Sequence, residues 1–344
     1  MRVGIVGCGY WGSKHVRVMS MNPVVEQVVV IDPRTARRQD LLRAFPSATS
    51  AASLAEALPQ VDALVIATPP ASHADLALRA LIAGKHVLVE KPMATTVPDG
   101  RRLVEAAQAA GVVLMAGHTF EYNAAVWALR DAVQGGELGA VYYIDSARLN
   151  LGLYQSDISV VWDLAPHDIS IFNHILGTTP DSVSAWGGSH AHRYLEDVAY
   201  VRLSYKELDV AAQLHVSWLD PCKVRRVTVV GARQMAVYND MSSEEKLRIY
   251  DKGVSSDEPS PQPRPTGEAM HDIPVTYRYG GIHSPYLPVQ EPLAVQNQHF
   301  TDCIAHRRVP DTDGANGLAV VQVLTATDLS LRERRPVSLA EVQA

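Results

Sequence analysis

The segment "VGIVGCGYWG" near the amino terminus constrains the fold of this chain more than any other feature. Gly7, Gly9 and Gly12 form a G-x-G-x-x-G pattern directly after a strand pattern and before the helical segment "SKHVRVM". In this setting the first glycine allows a tight turn, the second lets backbone amides approach a pyrophosphate, and the third lets the helix pack on the sheet. The helix N-terminus adds partial positive charge. We therefore predict a dinucleotide site at this turn, which also includes Tyr10 and Trp11.

A carboxylate at the end of the second predicted strand, "VVVID", strengthens this interpretation. Asp32 stands where a carboxylate accepts hydrogen bonds from the adenosine ribose hydroxyls of NAD and repels the 2′-phosphate of NADP. Arg34 and Arg37 follow closely, so NADP stays open as an alternative. We expect NAD as the cofactor, with Asp32 and Arg34 at its adenosine end.

The apolar pattern changes once along the 344 residues, which predicts two domains. Up to about residue 117, β-branched runs alternate with Ala-rich helical segments, as in a doubly wound parallel sheet of the Rossmann type. Beyond residue 140, longer alternating strands predict an α+β domain with a large, mostly antiparallel, open-faced sheet. We place a cofactor domain at 1–120 and a substrate-binding and oligomerisation domain at 121–344, whose last helix, near 314–333, is expected to return to the first domain.

Composition excludes several classes of partner. The net charge is −6 and the basic residues are scattered, so we expect no nucleic-acid partner. The apolar runs are short and the first residues have a strand pattern rather than that of a signal peptide, so we expect a cytoplasmic protein without a membrane partner. Cys8, Cys222 and Cys303 contain no close-spaced pair, which argues against a disulfide framework and a zinc site. We predict no metal.

Two further loops follow predicted parallel strands, at the edge where doubly wound sheets bind their ligands. "ATPPASH" places Thr68 and Pro69 in a rigid turn and His73 at the start of the next helix. "VLVEKPMA" brings Glu90 and Lys91 off the next strand. Each loop alone has an ordinary alternative, because His73 also fits a solvent-facing helix position and a charged pair at a strand end is often just solvated.

The segment "VWDLAPHDIS" spaces Asp163 and His167 by four residues, which is about one helical turn. If a helix starts near Leu164, both side chains project toward the same side at its first turn. Pro166 fits such a start, because its missing N–H costs nothing among the first helical residues. The plain alternative is an N-cap aspartate beside a partly buried histidine.

Together these motifs resemble the Gfo/Idh/MocA oxidoreductases, relatives of glucose-fructose oxidoreductase and inositol 2-dehydrogenase. The glycine motif, the "TPP" turn with its following His, Glu-Lys-Pro and D-x-x-x-H stand in the family's order, and the resemblance covers nearly the whole chain. It implies that Asp163 and His167 meet Lys91 beside the nicotinamide. The expected cofactor contacts are Gly7, Gly9, Tyr10, Trp11, Gly12, Asp32, Arg34, Thr68, Pro69, His73, Glu90 and Lys91.

Oxidation of a secondary alcohol sends a hydride to the nicotinamide and a proton to a base. His167, with a reference pKa of about 6.5, is expected to accept that proton near neutral pH, while Lys91 stabilises the developing alkoxide. Asp163 is expected either to orient the imidazole or to pair with Lys91. Because family members differ over the identity of the base, Lys91 stays an alternative to His167. The expected catalytic residues are Lys91, Asp163 and His167.

The resemblance implies a sugar, polyol or sugar-nucleotide substrate bound between the two domains. The segments "WDLAPHDISI", "HVSWLDPCKVRRVTVVG" and "HSPYLPVQEPL" resemble the sequences of family members that act in nucleotide-sugar and aminosugar pathways. The alternatives are an NADPH-dependent keto-sugar reductase, an inositol or polyol dehydrogenase, a regulator that binds NAD without catalysis, and a glycosidase with bound NAD. The expected substrate contacts are Lys91, His118, Tyr122, Asn123, Arg148, Trp162, Asp163 and His167. Trp162 fits a core aromatic equally well, and Arg148 fits an exposed strand end better.

Apolar residues on both faces of "DVAYVRLSY" and "LDVAAQLHVSW" predict that the open face of the second sheet packs on another subunit, in a homodimer or homotetramer. The segment 253–281 is rich in Pro, Ser and Gly and is too long for an ordinary connection. We predict a flap or surface arm that contacts a diphosphate or a neighbouring subunit. The residues expected to make these contacts are Arg264, Tyr277, Arg278, Tyr279 and His283.

Overall fold

The first domain contains a six-stranded parallel sheet with the strand order β3-β2-β1-β4-β5-β6. The computed structural model describes residues 1–343 except 153, 156, 192–193 and 257–274. The strands are β1 (Arg2–Val6), β2 (Gln27–Ile31), β3 (Thr49–Ala51), β4 (Ala63–Ile66), β5 (His86–Glu90) and β6 (Leu114–Gly117). The order reverses beside β1, so the crevice at the carboxyl ends of β1 and β4 is the ligand position expected of this topology.

Helices cover both faces of this sheet. They are α1 (Tyr10–Ser20), α2 (Thr35–Ala44), α3 (Leu54–Ala57), α4 (His73–Ile82) and α5 (Val97–Ala110). Separate apolar clusters fill the two faces, because β-branched strand residues are buried on both sides. The predicted doubly wound sheet is confirmed. Its edge strand β3 has three residues, too few for an alternating pattern to appear.

The second domain is built on a nine-stranded sheet with the order β14-β13-β12-β11-β7-β10-β9-β8-β15. Its strands are β7 (Val141–Leu151), β8 (Ser182–Gly188), β9 (Val198–Tyr205), β10 (Val210–Ser217), β11 (Leu219–Gly231), β12 (Met235–Asn239), β13 (Leu247–Ser256), β14 (Val275–His283) and β15 (Val337–Ser338). Strands β7 and β10 run parallel, and the remaining neighbours are antiparallel. The predicted mostly antiparallel sheet is confirmed.

One face of this sheet is covered by helices, and the last long helix also lies against the first domain. The helices that cover it are α6 (Ala124–Gln134), α7 (Val160–Leu176) and α9 (Gly314–Glu333), whereas α8 (Pro292–His306) packs against α1 of the first domain. Helix α7 packs against α6, α9 and β10, whereas α9 also contacts α5 and β6. The backbone amide of Ala116 in β6 donates to the carbonyl of Thr312 at 2.7 Å. Helix α9 therefore lies between the two sheets.

Helix α7 begins four residues earlier than predicted, at Val160 rather than near Leu164. Val160 and Val161 are fully buried in the core of the second domain, and this burial favours the additional turn. Pro166 therefore lies inside the helix, where it cannot donate a hydrogen bond to the carbonyl of Trp162. Asp163 nevertheless stays in the first turn, one turn before His167.

The two described ends of the predicted arm, in β13 and β14, belong to the outer end of the second sheet. Strands β13 and β14 form an antiparallel pair there, and Tyr277 and Tyr279 of β14 are 64% and 78% exposed. Residues 257–274, and with them Arg264, lie outside the described residues. Among the helices of the described part of the chain, none has the length and apolar character needed to cross a membrane.

Candidate active site

The glycine turn between β1 and α1 has the geometry of a dinucleotide cradle. Gly7 has φ +86°, and a Cβ on Gly12 would clash with the carbonyl oxygen of Gly7. A Cβ on Gly9, in contrast, would meet nothing within 4 Å, so the backbone there is open to a ligand at the N-terminus of α1. These residues fit a bound pyrophosphate. Tyr10 and Trp11 stand at the rim of the turn, 72% and 41% exposed.

Asp32 lies at the end of β2, directly beside this turn. One carboxylate oxygen accepts hydrogen bonds from the backbone amide and Nε of Arg34, both at 2.9 Å, and the other accepts from the Cys8 amide at 2.9 Å and Arg34 Nη2 at 2.8 Å. The Arg34 side-chain bonds are the largest reason why the pKa of Asp32 is lowered to about 2. The Arg34 side chain is 60% exposed, so a ribose hydroxyl can take its place on the carboxylate.

Lys91 and Asp163 meet across the domain boundary. Lys91 Nζ donates to the backbone carbonyl of Asp163 at 2.7 Å and to its Oδ1 at 3.1 Å. Trp218, directly after β10, donates from Nε1 to Asp163 Oδ2 at 3.2 Å. Of the two expected roles of Asp163, the geometry favours pairing with Lys91, because the Asp163 carboxylate is held by Lys91 and Trp218 and makes no bond to His167 in the described structure.

His167 follows one turn later on the same helix. Its Nδ1 is buried without a hydrogen-bond partner among the described residues, and the ring of Phe120 lies edge-on at 5.0 Å. The pKa of His167 lies well below its usual value, first because burial disfavours the charged form and then because Lys91, Arg148 and Arg225 are positive. The imidazole is therefore neutral near pH 7.

Arg148 is neither an exposed strand end nor open to a ligand. Its Nε lies 2.5 Å from Asp168 Oδ2, and the two side chains are 6% and 1% exposed. Ser146 Oγ donates to the other oxygen of Asp168 at 2.9 Å. The Arg148 guanidinium also lies 4.5 Å from the centre of the Phe120 ring, which in turn contacts His167. Arg148 is therefore placed to support the aromatic neighbour of His167.

Two expected cofactor residues, His73 and Glu90, face the protein interior. The ring nitrogens of His73 lie 2.8 Å from the carbonyl oxygens of Pro92 and Thr68, so this buried side chain joins the two loops. Glu90 Oε1 lies 2.8 Å from Nε2 of His15 in α1. Burial alone would raise the pKa of Glu90, but the hydrogen bond and charge of His15, together with Lys91 and His73, hold it below its usual value. Both residues support the loop that carries Lys91.

The other expected substrate contacts separate into two groups. His118 is 1% exposed, both its ring nitrogens lack a partner in the described structure, and burial lowers its pKa to about 4. It therefore has free hydrogen-bonding capacity near Lys91, whose charge lowers the pKa further. Tyr122 instead bonds Thr312 through its hydroxyl at 3.0 Å, and Asn123 caps α6 by accepting from the Ala125 amide at 2.9 Å. These last two side chains serve the domain junction.

Trp162 is buried at the domain junction and donates from Nε1 to Asp328 Oδ2 at 2.7 Å. Burial is the main reason why the pKa of Asp328 in α9 is raised to about 6, and the negative charge of Glu196 adds to the rise. The folded chain therefore holds this proton more tightly than the unfolded chain, and an ionised Asp328 costs stability.

Asp328→Asn is accordingly expected to stabilise the fold at pH 8, because the amide keeps an oxygen for Trp162 without the buried charge. The free energy of unfolding should rise by about 1–3 kcal/mol relative to wild type. As pH falls from about 6 to 4 the carboxyl becomes protonated, so the difference should disappear. Urea unfolding of both proteins at pH 8 and pH 4 measures this. A variant that is less stable than wild type at pH 8 would contradict the assignment.

Phe120, Trp218 and Asp328 are among the contributors to the site that were not predicted from the sequence. A signal existed for Trp218, because it continues the alternation of β10, in which Leu214 and Val216 are fully buried on the same side. No pattern in the sequence marks Phe120 or Asp328.

Two family models match this chain. The oxidoreductase family with an NAD-binding Rossmann fold matches residues 1–118, and the Gfo/Idh/MocA C-terminal domain matches residues 126–237. The first domain is therefore the NAD-binding domain of an oxidoreductase. The chain belongs to the Gfo/Idh/MocA oxidoreductase family, as its motifs indicated.

Curated relatives include sugar and polyol dehydrogenases. UDP-N-acetylglucosamine 3-dehydrogenase of Acidithiobacillus ferrooxidans is 27% identical over 344 residues, covering 96% of this chain and 99% of the relative. The scyllo-inositol 2-dehydrogenase (NAD(+)) of Bacillus subtilis is 23% identical, covering 98% of this chain and 96% of the relative. The alignments with two other curated relatives span 54% and 64% of the length of those proteins.

Solved structures share the fold over the whole chain. The structure of the Acidithiobacillus ferrooxidans enzyme has a TM-score of 0.80 at 24% identity and covers 97% of this chain and 98% of that one. A Bordetella pertussis dehydrogenase in complex with NADH and UDP-GlcNAcA has a TM-score of 0.77 at 24% identity, with 98% of each chain covered. At this identity the likeness shows the fold alone.

Proposed function

We propose that this protein is an NAD-dependent dehydrogenase that oxidises a ring hydroxyl of a sugar, specifically a nucleotide sugar or an aminosugar precursor. The observation that carries the proposal is the contact of Lys91 with Asp163 across the domain boundary, one helical turn from the neutral imidazole of His167. Bound NAD supplies the hydride acceptor. The protein itself must supply the groups that bind the alcohol and accept its proton.

Different residues of the chain accept the proton, stabilise the alkoxide and bind the dinucleotide. His167 accepts the hydroxyl proton, because its imidazole is neutral and its Nδ1 makes no competing hydrogen bond in the described structure. Lys91 donates a hydrogen bond to the same oxygen and stabilises its negative charge. Asp163 holds the ammonium of Lys91 in position, and Trp218 holds Asp163. The glycine turn and Asp32 bind the dinucleotide.

The substrate class rests on the names of the relatives and on the cleft between the domains. A UDP-N-acetylglucosamine dehydrogenase aligns over nearly the whole of both chains, which favours a nucleotide sugar. An inositol dehydrogenase aligns over a similar span, so a polyol is the second candidate. Both kinds of substrate carry a secondary alcohol on a ring. The pair of Lys91 and His167 can therefore act on either.

The test is to incubate the purified protein with NAD and a panel of free sugars, amino sugars, inositols and sugar nucleotides while following reduced nicotinamide by absorbance. The proposal expects NADH to form with at least one sugar or sugar nucleotide. Turnover of inositols alone would favour the second candidate. Binding of NAD without turnover of any alcohol, in either direction, would contradict the proposal and favour a regulator.

Cofactor choice gives a separate prediction. Asp32→Ser removes the carboxylate that accepts from the ribose hydroxyls and repels a 2′-phosphate, while Arg34 stays in place. We expect NAD to bind at least about ten-fold more weakly and NADP to bind more tightly. Isothermal titration with both cofactors measures the change. Asp62→Ser is the control, because Asp62 pairs with Arg2 just before β4, away from the glycine turn. An unchanged NAD affinity in Asp32→Ser would contradict the role.

The open face of the second sheet supports the proposed homo-oligomer. Trp186, Tyr200 and His215 form a row across β8, β9 and β10, and the last two rings stack at 4.0 Å. Trp186 is 60% exposed. Large exposed aromatics on an open sheet face favour contact with a second copy of the chain.

Sedimentation at micromolar concentration is therefore expected to give a dimer or tetramer. Trp186→Arg should raise the monomer fraction, because it places a charge in the buried centre of the contact. Tyr286→Arg is the matched control, since Tyr286 is 91% exposed outside the sheet. A wild-type protein that sediments as a monomer would contradict the oligomer.

A cytoplasmic location is also a proposal. Cys8, Cys222 and Cys303 are free thiols, and Cys222 is exposed. Free exposed thiols are typical of proteins in reducing compartments. Fractionation of the source cells tests the location, and recovery of the protein outside the cytoplasm would contradict it.

A further inference from the structure

A group of basic side chains lies on the same face of the second sheet as His167. Arg148 of β7 and Arg225 of β11 are paired in register, so their side chains point to the same face of the sheet. Arg148 contacts Asp168 of α7, so this is the face that α7 covers. After burial, positive charges are the cause of the lowered pKa of His167, and Arg225 is one of them. Arg225 therefore lies close enough to act electrostatically on the proposed base.

Arg225 shares one carboxylate with a second cation. Its Nη1 lies 3.2 Å from Asp240 Oδ2, and Lys246 Nζ lies 3.4 Å from Asp240 Oδ1. Burial would raise the pKa of Asp240, but Lys246 and Arg225 hold it below its usual value, so this carboxylate is ionised near pH 7. Two positive charges therefore face one negative charge. We call Arg225, Asp240 and Lys246 the cationic cluster.

The cationic cluster has hydrogen-bond donors available for a ligand. Arg225 bonds Asp240 through Nη1 alone in the described structure, so its Nε and Nη2 remain available as donors. Lys246 Nζ makes one bond, at 3.4 Å, among the described residues, although an ammonium has three donors. The side chains of Arg225 and Lys246 are 38% and 37% exposed. A ligand can therefore reach both cations without displacing Asp240.

The position of the cationic cluster favours contact with the substrate rather than with the cofactor. Arg225 in β11 and Asp240 directly after β12 belong to the second domain. Tyr238 donates to Asp240 at 3.2 Å and accepts from Asn123 Nδ2 at 3.2 Å, and Asn123 directly follows the turn that contains Phe120. The cluster is thus connected to the domain boundary beside His167. The cofactor pyrophosphate, in contrast, fits the glycine turn of the first domain.

We propose that the cationic cluster binds a phosphoryl group of the substrate, so that the ring oxidised at Lys91 and His167 belongs to a sugar phosphate or a nucleotide sugar. This inference rests on the proposed sugar dehydrogenase activity. The guanidinium of Arg225 can donate two parallel hydrogen bonds to a phosphoryl group, and the ammonium of Lys246 adds a point charge. The whole chain has a net charge of −6, so a local excess of positive charge beside the proposed base favours an anionic ligand.

The test uses protein saturated with NADH, which cannot oxidise an alcohol and which occupies the dinucleotide site. Glucose, galactose and N-acetylglucosamine are each titrated as the methyl glycoside, the 1-phosphate and the UDP derivative, and isothermal titration gives the dissociation constants. For at least one sugar, a phosphorylated form is expected to bind at least about ten-fold more tightly than the methyl glycoside. Equal affinities within every set, or no binding of any phosphorylated form, would overturn the proposal.

The forms also distinguish the two sources of the phosphoryl group. Tight binding of a 1-phosphate would show that one phosphoryl group is sufficient, whereas tight binding of the UDP derivative alone would assign the cationic cluster to a diphosphate. Glucuronate is titrated in parallel, because a carboxylate is also an anion. If glucuronate binds more tightly than every phosphorylated form, the phosphoryl assignment is wrong.

Variants then locate the effect. Arg225→Gln and Lys246→Gln should each weaken the preference for the phosphorylated form, and the double variant should abolish it while NADH affinity stays unchanged. Arg225→Lys keeps the charge and should keep part of the preference, which separates loss of charge from misfolding. Arg226→Gln is the matched control, since Arg226 is the next residue of β11, is exposed and points to the opposite face. A preference that survives in the double variant, or that falls equally in Arg226→Gln, would overturn the proposal.

The two proposals fail separately. If the phosphoryl preference is present and depends on Arg225 and Lys246, but no sugar reduces NAD, the dehydrogenase activity is wrong and the cationic cluster stands as a binding site. If NADH forms with sugars and phosphorylation gives no advantage in binding, the activity stands and the assignment of the cationic cluster is wrong.

Discussion

Replacing His167 with glutamine is expected to lower kcat by about two to four powers of ten while the affinity for NAD stays unchanged. Glutamine keeps a hydrogen-bonding side chain of similar length but cannot accept the alcohol proton. The buried Nδ1 without a partner in the described structure and the nearby charge of Lys91 leave the His167 imidazole neutral and ready for that proton. Steady-state kinetics with the best substrate of the panel, together with NAD titration, measure both quantities.

The lowered pKa of His167 predicts how kcat depends on pH. Because the pKa of His167 lies well below its usual value, wild-type kcat should hold steady as pH falls through the ordinary imidazole range and decline only at lower pH. His306→Gln is the control, since His306 is an exposed histidine at the end of α8. If His167→Gln retains wild-type kcat whereas Lys91→Met loses it, Lys91 is the base and the assignment of His167 is wrong.

Replacing Arg148 with methionine is expected to lower the free energy of unfolding by about 3–5 kcal/mol. The change leaves the carboxylate of Asp168, which is 1% exposed, without its positive partner. Urea unfolding followed by circular dichroism measures the loss. Kinetics of the folded fraction should also change, because Arg148 supports the Phe120 ring that contacts His167.

A double variant separates the cost of leaving the Asp168 charge unpaired from the cost of lost packing. Arg148→Met with Asp168→Leu removes both charges, and most of the stability should return, because replacing a whole buried pair with apolar side chains is often neutral. A single variant as stable as wild type would show that the ion pair has little importance. A double variant less stable than the single one would show that packing dominates.

The parts of this structure that depend on local spacing were predictable from the sequence. The glycine turn, the strand alternation and the placement of Asp163 and His167 on one helix depend on residues close together in the chain, and the structure has them. The start of α7 was misplaced because Pro166 was interpreted as a first-turn residue, whereas burial of the preceding valines extends the helix.

Contacts between distant segments were harder to predict from the sequence. Arg148 has the pattern of an exposed strand end, but its burial depends on Asp168 of α7 facing it across the domain. Phe120 comes from the turn after β6 and meets His167 only through the tertiary fold. The pairing of Lys91 with Asp163 was expected only because of the family resemblance, since the two residues lie 72 positions apart.

The most direct test of the central claim compares wild type with the double variant Lys91→Met/His167→Gln in the NAD and sugar panel. Wild type is expected to form NADH with at least one ring alcohol. The double variant is expected to bind NAD but to form no measurable NADH. Equal rates of NADH formation in the two proteins would contradict the claim that Lys91 and His167 act together on the alcohol.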